Sequence, residues 1–271
     1  MSPVEVQPDF TTITETPSQG ATADQLRMMY TRYRWAAGRC EGREVLEVAC
    51  GAGVGLGLLA ARARSVVGGD IDETNCEIAR QTYESHPRIT VRRLEAEKLP
   101  FRDRCFDLLV LFEALYYLTH PDRFFQEARR VLRPGGLLLI STANCEWTGF
   151  NPSRFSMRYF NARELGDVMT SYGFYTRLLA GFPENTHGLS HGAIALLRRV
   201  AARFHLIPKT MKGKGWLKRI FYGKLTPLPQ QLAEGMFEPE PLVDIGDSTD
   251  LRRYRFLYAM GRMAPSDEVR Q

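Results

Sequence analysis

Two acids and two glycines stand out by their spacing. Glu47 precedes the close pair Gly51 and Gly53 in the run Glu47-Val48-Ala49-Cys50-Gly51-Ala52-Gly53-Val54-Gly55, and Asp70 comes 19 residues after Gly51 in Gly69-Asp70-Ile71. Glycines between a strand and a helix leave bare backbone for a ligand to approach, and the helix start offers free N–H groups. A dinucleotide fingerprint would carry a third glycine three residues after the second, where this chain has Leu56. Glu47 would repel a pyrophosphate but suits a cation. No lysine stands in the loop to meet a phosphate. Asp70, at the end of a second strand, is placed to hydrogen-bond a ribose diol, with Ile71 as an apolar wall for a base. The plainer readings are a tight turn that only packs, and a helix-capping acid at Asp70. Asp72 is the better capping candidate of the two acids.

Other reactive types are sparse. His187 and His191, in His-Gly-Leu-Ser-His, have the spacing of a metal pair, but no third ligand accompanies them and no metal is expected. One or both could instead act as bases. No Gly-x-Ser-x-Gly elbow is present. The five cysteines (40, 50, 76, 105, 145) lie singly, which argues against a disulfide framework and for a reducing compartment.

The elements that must position these groups alternate. A helix is expected from Asp24, as N-cap, to Arg39. Strands are expected at Glu44–Ala49, Ser65–Gly69, Ile89–Leu94, Phe106–Phe112 and Leu137–Ser141. Helices are expected at Leu56–Ala63, Thr74–Ser85 (Thr74 a candidate cap) and Asp122–Leu132, the last ended by Pro134-Gly135-Gly136. Continuous apolar strands alternating with helices imply an α/β fold with a doubly wound, mostly parallel sheet. Ligands of such sheets bind beyond the carboxyl ends of the strands. A further helix starts at Asn161-Ala-Arg-Glu164, close to a capping box, and leads to Tyr172-Gly173-Phe174.

The chain has 271 residues, 44% hydrophobic, with a net charge of +5. That is enough apolar residue for a full core and too even a composition for disorder. No apolar run reaches the roughly 20 residues of a membrane span. The first 20 residues lack the basic and apolar regions of a signal peptide, so a cytoplasmic location is expected. Residues 1–144 hold 18 basic against 19 acidic residues, whereas residues 145–271 hold 18 against 12. The excess sits in an acid-free stretch from Asn185 to Ala233, with nine basic residues between Arg198 and Lys224 interleaved with bulky apolar ones. Three readings stay open: recognition of an anionic acceptor, contact with an anionic membrane surface, or a solvated pair of helices matched to the six acids between Glu234 and Asp250. A near-neutral first half without a recognition motif excludes nucleic acid as the favoured partner. The expected organisation is a flexible arm (1–22), a core (23–183), a basic insertion or cap (184–233) and a C-terminal part completing the sheet (234–271).

The segments VLEVACGAG, VVGGDID, LEAEKLPFRDRCFDLLV and EARRVLRPGGLLLIST resemble the class I, type 11 methyltransferases that use S-adenosylmethionine. The likeness is firm over about 100 residues from Glu44 to Thr142. It implies a seven-stranded-type Rossmann-like sheet with an N-terminal lid helix and a C-terminal cap. By position it implies that Glu47, Ala49, Gly51 and Gly53 hold the methionine portion, Asp70 and Ile71 the ribose side, and Glu95 and Ala96 the adenine, with Phe112 lining the cofactor. The family usually has Gly at Ala49 and Asp at Glu95. The run Tyr30-Thr-Arg-Tyr-Arg34-Trp35 is similar to the lid helix of methyltransferases of surface-polysaccharide pathways, which implies Tyr30 or Arg34 near the cofactor carboxylate; an ordinary basic helix face is the alternative.

Methyl transfer from a sulfonium needs alignment and, for a hydroxyl acceptor, a placed base. Candidates lie just after the later strands: Glu113, Tyr117 and His120, besides His187 and His191. The aromatic stretch 147–160 would wall an acceptor pocket or cover the sheet edge. The sequence reading is therefore O-methylation of a small-molecule or glycan-type acceptor, with polysaccharide biosynthesis resting on the resemblance alone. A natural-product or quinone-like phenol is the alternative acceptor. A non-catalytic, membrane-associated scaffold that keeps the cofactor fold is the alternative class.

Overall fold

The computed structural model describes residue 17, residues 19–184 and residues 225–264. Its elements in chain order are β1 (Gly20–Ala21), α1 (Ala23–Ala37), β2 (Glu44–Val48), α2 (Leu56–Ala60), β3 (Ser65–Asp70), α3 (Glu73–Thr82), β4 (Ile89–Arg93), β5 (Phe106–Phe112), α4 (Pro121–Val131), β6 (Leu132–Ala143), α5 (Ala162–Ser171), β7 (Phe174–Pro183), β8 (Thr226–Pro227), β9 (Val243–Asp244) and β10 (Tyr254–Met263). The main sheet has eight strands in the order β4-β3-β2-β5-β6-β10-β7-β9. The strands from β4 to β6 are parallel, and β10, β7 and β9 join antiparallel.

The central strands are buried on both faces, which is why they read as unbroken apolar runs. Their side chains alternate. Val45, Leu108, Val110, Leu137 and Leu139 pack on one side with Leu26, Met29 and Tyr33 of α1 and with α2. Leu46, Leu109, Leu111, Leu138 and Ile140 pack on the other with Phe124, Phe125 and Ala128 of α4 and Leu165 and Met169 of α5.

The helix starts correct two expectations. Thr22, not Asp24, caps α1: its side chain accepts from Gln25 N–H, and Gln25 returns a bond to the Thr22 backbone. The earlier start leaves Asp24 in the first turn, where it faces Arg27 and Arg255. Thr74 is a donor rather than a cap, because Asp72 accepts from its N–H at 2.8 Å. The box at Asn161 and Glu164 forms as expected. Pro134-Gly135-Gly136 does not end α4. The helix stops at Val131, and the triplet lies within β6, where Gly135 has φ +76° and the pairing with β5 shifts register. The extra residues bulge out of the ladder, which a positive-φ glycine permits.

The segment 225–240 binds to the N-terminal part of the fold. Leu232 N–H donates to Val54 O at 2.8 Å and Gly235 N–H to Tyr30 Oη at 2.9 Å. Glu234 pairs with Arg34 and Arg62, Glu240 with Arg27, and Asp244 with Arg177. Three of the acids between Glu234 and Asp250 are thus paired with described residues; the basic stretch 198–224, His187 and His191 lie outside the described residues. No helix among the described residues is long and apolar enough to cross a membrane.

The strand order reverses between β2 and β5. At that switch point two chain segments leave the sheet side by side: the glycine loop after Val48 and the turn after Phe112, with Val48 paired to Leu111. In open sheets of this kind the ligand crevice lies there.

Candidate functional site

The glycine loop is held in left-handed backbone. Ala49, Gly51 and Gly53 have φ of +55°, +56° and +76°. At Gly53 a Cβ would stand 2.8 Å from that of Ala79, so glycine serves both conformation and space. Tyr83 fastens the loop: its hydroxyl donates to Gly53 O at 2.9 Å and accepts from Gly57 N–H at 3.1 Å.

Asp70 braces the same loop. One carboxylate oxygen accepts from Gly51 N–H at 2.8 Å and the other from Asp72 N–H at 2.9 Å. Burial pushes its pKa up, against these backbone bonds. The Asn75 side chain bonds the same carboxylate, which leaves one of its roughly four lone-pair positions for a further donor such as a ribose hydroxyl. Next to it Ile71 is half-buried, and on the neighbouring strand end Leu94 N–H donates to Asp70 O at 2.9 Å. Glu95, exposed, and Ala96, half-buried, come directly after, so the residues expected on the ribose and adenine side converge at the ends of β3 and β4.

Glu47 lies below the loop and is 1% exposed. Tyr33 Oη donates to its Oε1 at 2.7 Å, and its Oε2 is buried without a partner. Burial pushes the Glu47 pKa up to about 7, opposed by the Tyr33 bond and the Arg32 charge. A buried carboxyl with an unpartnered oxygen is suited to a cation.

The helix α1 presents different residues to this site than expected. Tyr30 Oη receives Gly235 N–H and its ring lies against Phe237, while Arg34 pairs with Glu234 at 3.1 Å. Both are engaged with segment 233–240 instead. Tyr33, one residue before Arg34, carries the contact. Its ring occupies the space a Cβ on Gly55 would need, and it meets Phe112 edge-on at 5.4 Å. Arg32 acts through its charge on Glu47, Tyr33, Tyr116 and Tyr258. The signal for Tyr33 was its place on the buried stripe Leu26, Met29, Tyr30, Tyr33, Ala36 and Ala37.

Across the switch point, Glu113 stands next to Phe112 with φ +52°. Ser141 Oγ donates to Glu113 Oε1 at 2.9 Å, and Tyr116 Oη to Oε2 at 3.3 Å. Tyr116 and the half-buried Tyr117 enter a cavity of about 450 Å³, lined further by Trp147, Phe150, Tyr159 and Phe256 among others. Thus the aromatic stretch 147–160 does wall a cavity. His120 is not in that lining. It is exposed at the N-cap of α4, its backbone N–H on Glu97.

Residues 46–140 match the family described as "Methyltransferase domain". This stretch is a methyltransferase domain. The chain is 38% identical over 167 residues to the "Probable S-adenosylmethionine-dependent methyltransferase" of Mycolicibacterium smegmatis, covering 59% of this chain and 60% of that one. It is 33% identical over 122 residues to a ubiquinone biosynthesis O-methyltransferase of a Chelativorans species, covering 45% and 48%. The chain thus matches about half to three-fifths of the length of these relatives. Among solved structures, an S-adenosylmethionine-dependent methyltransferase from Mesorhizobium loti overlays with a TM-score of 0.54 at 17% identity, over 85% of this chain and 95% of that one, a likeness in fold. The domain's sheet is the Rossmann-like sheet of class I methyltransferases.

The residues at the switch point fit S-adenosylmethionine. The domain offers an unpartnered buried carboxylate oxygen at Glu47 for a cation, positive-φ backbone at Gly51 and Gly53 for close approach, and Asp70 for a diol. It offers no basic residue in the loop for a phosphate.

Proposed function

We propose that this protein is an S-adenosylmethionine-dependent methyltransferase that transfers the methyl group to a hydroxyl of a small-molecule acceptor. The observation that carries the reading is the Glu47 carboxylate, buried with Oε2 unpartnered beneath the glycine loop. A phosphate-bearing cofactor has no use for such a group; a sulfonium carrying an α-amine does. Glu47, Gly51, Gly53, Asp70 and Ile71 would hold the cofactor, with Glu95, Ala96 and Phe112 around its base and side. When bound it supplies an activated methyl group. The chain's own part is to align the acceptor and to take its proton.

The cavity bears on the acceptor. Its lining of tyrosine, tryptophan and phenylalanine rings suits a flat aromatic molecule, with Ser153, Asn151, Arg255 and the tyrosine hydroxyls as polar partners. The named activity of the ubiquinone O-methyltransferase relative points the same way.

Calorimetric titration with S-adenosylhomocysteine tests the cofactor assignment. Wild type is expected to bind, and Asp70→Ala to bind about 10- to 100-fold more weakly, the loss of charge-assisted bonds. Full affinity in Asp70→Ala would overturn the reading. Binding without turnover on any acceptor would favour the scaffold alternative.

A further inference from the structure

Glu113 adopts a backbone conformation that needs a reason. Left-handed φ on a non-glycine residue is unfavourable by roughly 1–2 kcal/mol and persists where neighbours impose it. Here Glu113 N–H donates to Ser141 O at 2.9 Å and Ser141 Oγ holds the carboxylate from the other side. The result aims Oε2 at Tyr116 Oη. Glu113 itself is not part of the cavity lining, whereas Tyr116 is, with its ring stacked on Tyr159 at 4.8 Å and meeting Tyr117 at 4.5 Å. The carboxylate is therefore one hydrogen bond away from a side chain of the cavity wall.

Resting on the methyltransferase reading, we propose that Tyr116 and Glu113 form a proton relay for a phenolic acceptor bound in the aromatic cavity. The acceptor hydroxyl gives its proton to Tyr116 Oη as Tyr116 gives its own to Glu113 Oε2. The freed oxygen pair forms the bond to the methyl carbon, and the electrons of the breaking C–S bond return to sulfur, cancelling its positive charge. Glu113 later releases the proton to water. A phenol is matched to this relay because its hydroxyl, unlike an aliphatic one, is acidic enough to pass its proton to Tyr116 as Tyr116 hands its own to the carboxylate. Burial above all, then Glu113, Tyr117 and Tyr159, push the Tyr116 pKa up, against the Arg32 charge from α1. Arg32 and Glu113 also act on Tyr258 of β10, with the same opposed signs. Tyr116 is the catalytic residue of the pair, and Glu113 positions and drains it.

The test uses the full chain, S-adenosylmethionine and catechols of graded acidity, from catechol to 4-nitrocatechol. Wild type is expected to methylate the series. With catechol at pH 7, Tyr116→Phe and Glu113→Gln are expected to lose about 10²- to 10⁴-fold in kcat/KM, the range of general-base catalysis. The loss shrinks for 4-nitrocatechol, and rates recover as pH passes the acceptor's own pKa, because the acceptor then arrives ionised. Catechol binding without methyl donor, read by the tryptophan quenching that Trp147→Phe abolishes, changes less than about threefold. Equal losses for every catechol at every pH, or no loss, would overturn the relay. If wild type binds S-adenosylhomocysteine in an Asp70-dependent way but neither binds nor methylates any catechol, the relay falls and the methyltransferase reading stands. If it does not bind S-adenosylhomocysteine, both fall.

Discussion

The Tyr33 hydroxyl donates to the Glu47 carboxylate across 2.7 Å, joining the N-terminal helix to the first strand of the methyltransferase domain at a site closed to solvent. The bond satisfies one carboxylate oxygen and leaves the other for a ligand. It also places α1 against the carboxylate proposed to face the cofactor. The pH behaviour of the protein should reflect this pair.

Glu47 has a pKa of about 7 in the folded chain, above its ordinary value of 4.5. The folded state then holds a proton that the unfolded state has released between pH 4.5 and 7. Stability therefore falls as pH rises through that window and levels off above 7, by roughly 3 kcal/mol from this group. Glu47→Gln is expected to remove this slope and to melt higher than wild type above pH 7. Melting curves of both proteins from pH 4.5 to 8.5 measure it; parallel curves would contradict the assignment.

The same group should tie cofactor affinity to pH. A cation prefers the ionised carboxylate, so S-adenosylmethionine affinity is expected to rise about tenfold from pH 6 to pH 8. The rise should vanish in Glu47→Gln. In Tyr33→Phe the lost donor pushes the Glu47 pKa higher, so affinity at pH 7 drops and returns only at more alkaline pH. Arg34→Ala, by contrast, breaks an exposed pair with Glu234, and should change affinity less than twofold. Calorimetry on the four proteins separates these outcomes.

Much of this site could be read from the chain. The apolar runs at Glu44–Val48 and Phe106–Phe112 announce buried parallel strands, and the residues just past a strand end are its immediate neighbours in the chain. Glu47, Gly51, Gly53 and Asp70 were therefore visible by spacing alone. The roles of Tyr33, Tyr30 and Arg34 were not, because they depend on how α1 is rotated against the sheet. That rotation is set by contacts about 200 residues away, such as Gly235 on Tyr30. The Pro134-Gly135-Gly136 triplet misled for a related reason. Its turn chemistry is real, but Gly135 uses it inside a strand paired to β5 rather than at a helix end.

Ala49 records a local departure from the family pattern, which has glycine there. Its φ of +55° is unfavourable for a residue with a Cβ. Ala49→Gly is expected to relieve that strain while adding flexibility to the unfolded chain, for a net gain of about 0.5–1 kcal/mol. In a chain of this size that corresponds to about 1–4 °C in Tm. Gly53→Ala should do the opposite, since it meets Ala79 at 2.8 Å as well as a positive φ. Thermal denaturation of both variants reads the two signs; a destabilised Ala49→Gly would contradict the geometry.

Asn144 is where the cavity depends on the C-terminal strand. It is fully buried at the end of β6, and its Nδ2 donates to both Leu251 O and Tyr254 O at 2.8 Å. Its Oδ1 accepts from Glu146 N–H at 3.0 Å, and its backbone N–H reaches Arg255 O at 2.9 Å. One side chain thus ties the start of the aromatic stretch to the segment that carries Arg255 and Phe256 into the cavity wall. Asn144→Ala would take the side-chain donor from two carbonyls, a loss of about 2–6 kcal/mol at 1–3 kcal/mol for each unsatisfied group. Because Glu47 and Asp70 lie across the switch point on β2 and β3, S-adenosylhomocysteine affinity should stay within about threefold of wild type below the lowered Tm. Catechol binding should weaken much more. Equal losses of both ligands would mean that Asn144 supports the sheet as a whole rather than the acceptor side.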